Sequence, residues 1–127
     1  DDVAHAVAQQ ENLSDAIGGV SVPVEDQHVA DILIDLTRRE TKQFSNQFAQ
    51  VMVESLKHKT QMINNPHRSA GFRVLKAPDV PSVLVELGYL SNPQDEKSVS
   101  DPKWQSELAD EMAEAIRIYA SKQMANR

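Results

Sequence analysis

Lys76-Ala77-Pro78-Asp79-Val80-Pro81-Ser82-Val83-Leu84-Val85-Glu86-Leu87-Gly88-Tyr89-Leu90-Ser91-Asn92 carries a short apolar run directly into a carboxylate. Val83, Leu84 and Val85 form a short apolar run rich in β-branched valine, with prolines before it and Gly88 after it. That pattern predicts a strand buried on both faces, as in a sheet covered by helices. In open α/β sheets ligands bind beyond the carboxyl ends of the strands, so Glu86 falls where an acid sits half-desolvated and suited to proton transfer.

On either side of this stretch the pattern is mostly helical. Val3, Val7 and Leu13 recur near helical spacing, with acidic residues at the amino end, and Gly18-Gly19 ends the series. Residues 20–24 contain Pro23 and read as an extended linker, after which Asp26 is placed to cap a helix with Val29, Ile32, Leu33 and Leu36 as apolar positions. Phe44, Phe48, Val51, Met52 and Leu56 imply a further helix or a continuation of the same one to about Lys59, with a break near Thr41 left open. Asn64-Asn65-Pro66 is turn chemistry, and residues 71–75 read as a second short strand. Asn92-Pro93 and Asp101-Pro102 each set a cap before a helix. In the second of these helices Trp104, Leu108, Met112, Ala115, Ile116 and Tyr119 make an apolar stripe.

Composition narrows the function classes. The 127 residues are one domain's worth of chain, 40% apolar and 25% charged, with a net charge of −6. Nucleic-acid binding needs clustered Lys and Arg to neutralise phosphates, and this chain lacks them. Zero cysteines exclude disulfides and thiolate metal sites and fit either a reduced or a disulfide-free oxidising compartment. No apolar run approaches the roughly 20 residues needed to span a bilayer. His5, His28, His58 and His67 are scattered and read as surface residues, not as a zinc-binding set. Ser14 and Ser82 have no identifiable histidine partner, so nucleophilic catalysis has no support.

Three phrases in order resemble zinc-dependent N-acetylmuramoyl-L-alanine amidases, the peptidoglycan hydrolases of bacterial cell division. They are Gln10-Glu11-Asn12-Leu13-Ser14-Asp15-Ala16-Ile17-Gly18-Gly19-Val20, Ala70-Gly71-Phe72-Arg73-Val74-Leu75-Lys76 and the opening stretch with Glu86. The resemblance implies an α/β, phosphorylase/hydrolase-like fold, a mixed β-sheet flanked by helices on both faces, with this chain as its C-terminal portion. Residues 1–59 would be a helical regulatory or insertion region, and residues 70–125 a strand-strand-helix core. The family's Gly-His-Gly-Gly-like segment, its glutamate ligand and its Ser-Ile-His-Ala-Asp-like phrase do not occur here. The chain alone is therefore expected to be inactive, with its Zn2+ ligands in a missing N-terminal half of the same domain.

The resemblance also assigns roles. Glu86 corresponds to the general base, against the alternative of a strand-end glutamate held in a salt bridge. Glu11 corresponds to an inhibitory metal ligand on a helix over the site, against the alternative of a solvated surface residue. Val29, Ile32, Leu33 and Leu36 would meet a LytM-type activator protein, whereas an ordinary amphipathic helix would pack them on its own sheet. The implied location is the bacterial periplasm, and the substrate is the amide between N-acetylmuramic acid and L-alanine in peptidoglycan. Two rivals stand beside this reading: a non-catalytic interaction fragment presenting the 29–36 helix, and an α/β domain of another hydrolase.

Overall fold

The computed structural model describes the backbone of residues 2–17 and 28–125 and the side chains of residues 2–14 and 32–125. Its elements are α1 (Asp2–Ile17), α2 (His28–Leu56), a 3₁₀ turn (Arg73–Leu75), α3 (Pro93–Val99) and α4 (Pro102–Ala125). The Gly18-Gly19 stop, the 20–24 linker and the Asp26 cap lie outside the described residues. The chain divides into two compact units. One comprises Asp1–Asn46 and His67–Val83, the other Gln47–Pro66 and Leu84–Arg127.

The expected α/β architecture is overturned: among the described residues there is no strand and no sheet. The run Val83-Leu84-Val85, read as a buried strand leading to Glu86, lies in a stretch, residues 81–89, without regular secondary structure. A strand exists only through pairing with a neighbour, and helix side chains take up the hydrogen bonds of this segment instead. Thr41 and Ser45 lie one turn apart on α2. The Thr41 hydroxyl donates to the Pro78 carbonyl at 2.8 Å, and the Ser82 N–H donates to Ser45 Oγ at 3.0 Å. Pro78 and Pro81 have no N–H to offer a ladder. The second expected strand, 71–75, is also absent: it closes on itself through Leu75 N–H to Phe72 O at 3.3 Å and Lys76 N–H to Arg73 O at 3.1 Å.

In the first unit the buried residues of α1, among those described, are the small Ala4 and Ala8. Thr41 is a buried polar residue of this unit, and its hydrogen bond to Pro78 explains why burial is tolerated. No break occurs near Thr41. The helix is continuous for 29 residues, a length of about 44 Å at 1.5 Å per residue.

Among the described residues, the hydrophobic core cluster lies in the second unit. Met52 and Leu56 from α2 pack with Leu108 and Ala115 from α4, flanked by Phe48, Val51, Met62, Val85, Trp104 and Met112. Phe48 stacks on Tyr119 with ring centroids 4.7 Å apart. Gln123 donates to Gln47 at 3.1 Å, and Lys59 lies 3.7 Å from Glu111. Partners that rise along α2 fall along α4, so the two segments run antiparallel. Burial of Tyr119 pushes its phenol above the ordinary value.

The stripe on α4 is narrower than its sequence suggests. Leu108 and Ala115 are buried and Tyr119 is half-buried, whereas Ile116, one position past the seam, is 51% exposed. Leu108→Ala should therefore cost about 3 kcal/mol of unfolding free energy, because it leaves a cavity at the centre of the core. Ile116→Ala should cost under about 1 kcal/mol. Urea midpoints at unchanged m-value measure both, and equal losses would contradict this placement of the core.

Candidate functional site

Glu86 follows a residue anchored in the core. Val85 is half-buried and packs on the Met52, Leu56, Leu108 and Ala115 cluster, while Glu86 and Leu87 are exposed. Among the described residues Glu86 has no ion pair and no hydrogen bond, so the salt-bridge alternative has no partner there. Its carboxylate lone pairs are uncommitted and open to solvent. That is the state in which a carboxylate can take a proton from water.

The backbone after Glu86 is held tightly. Gly88 has φ +148, a region that side chains with a Cβ rarely adopt. A Cβ built at Gly88 would come within 3.0 Å of Asp95 Cβ and 3.2 Å of Asp95 Cγ. The Tyr89 N–H donates to Asp95 Oδ2 at 3.0 Å, and the Asn92 N–H donates to Tyr89 O at 2.9 Å. Asn92, extended at φ −99 and ψ 115, caps α3 by accepting from Gln94 N–H at 2.9 Å and Asp95 N–H at 3.3 Å. Pro93 takes the first helical position, where its missing N–H costs nothing, and Asp95 and Glu96 suit the positive end of the helix dipole.

Glu11 lies in the other unit, exposed on α1. The residue beside it makes the tertiary contact. Asn12 Nδ2 donates to Gly71 O at 2.9 Å, and the Arg73 N–H donates to Asn12 Oδ1 at 2.6 Å. One amide thus ties α1 to the 3₁₀ turn and brings two of the three family-like phrases together.

The apolar positions near the amino end of α2 are uncovered, unlike Met52 and Leu56 at its other end. Ile32, Leu33 and Leu36 are 65%, 66% and 57% exposed, and their spacing places them on one helical face. Val29 is helical, and its side chain lies outside the described residues. His5 and His58 are exposed and His67 is half-buried. Among the described residues no three His, Asp or Glu side chains gather as a metal site, and no described helix is long and apolar enough to cross a membrane. An open groove of about 520 Å³ between α2 and α4, lined by Gln47, Gln50, Glu54, Tyr119 and Lys122, does not include Glu86.

Asn12, Gly88 and Asp95 were not legible as site residues. For Asp95 a signal existed: an acidic residue three positions after an Asn cap is the capping-box spacing. Here, however, its carboxylate reaches past the Asn92 amide to that of Tyr89.

The sequence matches the family model for N-acetylmuramoyl-L-alanine amidases over residues 5–118. The chain belongs to that family. Among the relatives of this amidase chain, the N-acetylmuramoyl-L-alanine amidase AmiC of Escherichia coli O6:H1 is 35% identical over 116 residues, which are 91% of this chain and 28% of that protein. AmiC of Neisseria meningitidis serogroup B is 31% identical over 124 residues, covering 98% of this chain and 30% of the relative. The probable cell wall amidase LytH of Staphylococcus saprophyticus is 35% identical over 74 residues, 58% of this chain and 25% of its own length. The chain thus spans less than a third of these amidases. The resemblance drawn from the three phrases is correct as to family, and the match includes both Glu11 and Glu86.

Proposed function

We propose that this chain contributes the general base, Glu86, to a peptidoglycan amidase that hydrolyses the amide between N-acetylmuramic acid and L-alanine. The observation that carries the reading is the position of Glu86 within the family match: an exposed carboxylate between core-packed Val85 and the clamped Gly88-Tyr89 turn. In the proposed reaction Glu86 accepts a proton from the attacking water as the new C–O bond forms at the amide carbonyl. The C–N bond then breaks and the proton passes to the leaving amine, giving a carboxylate on the muramic acid side and a free L-alanine amino group.

The family resemblance implies Zn2+, but the described residues do not assemble a ligand set for it. On the strength of the family resemblance, Zn2+ is proposed as a cofactor of the whole protein, with its main ligands in the other half of the domain and this chain alone inactive. Glu11, exposed on α1, is the proposed inhibitory ligand. Location in the periplasm, a role in cell division and activation by a LytM-type protein belong to the same proposal.

A second reading rests on the exposed face of α2. Ile32, Leu33 and Leu36 give an apolar surface that suits docking in a partner's groove, either as the activator contact of the amidase or as the sole task of a non-catalytic fragment.

Three outcomes test these assignments in the active protein that contains this chain. Glu86→Ala should lower hydrolysis of dye-labelled sacculi by about 10²–10⁴-fold without changing the melting temperature; wild-type rates would remove Glu86 from the mechanism. Glu11→Ala should raise the rate without activator by about 5–150-fold, the range of an ordinary coupling energy, and an unchanged basal rate would refute the inhibitory role. Ile32→Ser combined with Leu36→Ser should weaken capture of an activator domain by about tenfold or more, and undiminished capture would place the contact elsewhere.

A further inference from the structure

We propose that Asp95 is the positioning residue for Glu86, fixing the turn that follows the base through a single backbone hydrogen bond. The inference rests on the reading of Glu86 as the base. Three features of the second unit converge on the Asp95 carboxylate. It accepts the Tyr89 N–H at 3.0 Å, three residues after Glu86. It fills the space above Gly88 so closely that a Cβ there would sit 3.0 Å from Asp95 Cβ. Its own backbone is fixed by the Asn92 cap, at 3.3 Å from Asp95 N–H to Asn92 Oδ1, and the Asn92 N–H closes back on Tyr89 O at 2.9 Å.

Glu86 is therefore placed from both sides. Val85 is seated in the core before it, and the Gly88-Tyr89 turn is locked to α3 after it. Without the Asp95 contact the 86–89 segment keeps Val85 before it and the Asn92 N–H to Tyr89 O bond after it, but the Tyr89 N–H and the Gly88 turn are released from α3, and Glu86 samples orientations in which its carboxylate misses the attacking water. An error of about 1 Å in such a group costs on the order of a hundredfold in rate. Gly88 has its own place in this arrangement, because any side chain there displaces Asp95 and meets an unfavourable φ. An acidic residue whose only task was to favour the α3 dipole would need neither the Tyr89 contact nor the glycine.

The test uses the active protein containing this chain, with kcat and KM measured separately on a soluble muropeptide. Asp95→Ala should lower kcat about 10–100-fold with KM within about twofold. Asp95→Asn should restore kcat to within about threefold of wild type, because its side-chain oxygen still accepts the Tyr89 N–H. In a Glu86→Ala background, followed at enzyme concentrations that reveal residual turnover, Asp95→Ala should cause no further loss. Gly88→Ala should reproduce the Asp95→Ala defect and combine with it non-additively, which covers the case in which Asp95→Ala does not fold. The proposal is overturned if folded Asp95→Ala or folded Gly88→Ala keeps wild-type kcat, or if Asp95→Ala loses as much in the Glu86→Ala background as in wild type. Full activity in Glu86→Ala alone would instead overturn the base assignment, and the positioning role with it.

Discussion

Between Gly71 and Tyr89 the chain has no neighbouring strand, and at five points its backbone groups are held by helix side chains. Asn12 on α1 takes the Gly71 carbonyl and the Arg73 N–H, Thr41 and Ser45 on α2 take the Pro78 carbonyl and the Ser82 N–H, and Asp95 on α3 takes the Tyr89 N–H. Each contact is local to one of the two units, and each pins an irregular segment to a helix. A side-chain oxygen or amide satisfies one or two groups at chosen points, whereas a neighbouring strand would satisfy a whole ladder. The irregular segments are consequently held at a few positions and open between them.

That openness accounts for the setting of Glu86. Val85 enters the core formed by Met52, Leu56, Leu108 and Ala115, and two residues beyond the carboxylate Gly88 turns the chain back onto α3. Between these fixed points Glu86 faces solvent. The same economy of partners leaves Ile32, Leu33 and Leu36 uncovered, since nothing described in the first unit packs over that part of α2. An apolar face in water is unfavourable by roughly 25 cal/mol per Å², a free energy that association recovers.

Helices were readable because their hydrogen bonds join residues four apart and their buried faces recur at a fixed period. The Asn92-Pro93 cap, the Asp101-Pro102 start and the seam through Leu108 and Ala115 all follow from such local rules. Ile116 escaped them because period alone does not set how wide a stripe is covered; its 51% exposure reflects what α4 packs against. Glu86 and Glu11 were singled out from phrases shared with a family. Asn12 and Asp95 were not, because their contacts cross 59 to 61 residues in one case and bypass the local cap in the other.

By itself the sequence determined the family, the helices, the core seam of α4 and the carboxylate at the end of an apolar run. Only the tertiary structure decided that the run is not a strand, that Asn12 joins α1 to the 71–73 backbone and that Asp95 locks the turn after Glu86. The physical reason is range. A helix is closed by its own neighbours, whereas strand pairing and side-chain capture of distant backbone depend on which groups folding brings within 3 Å of each other.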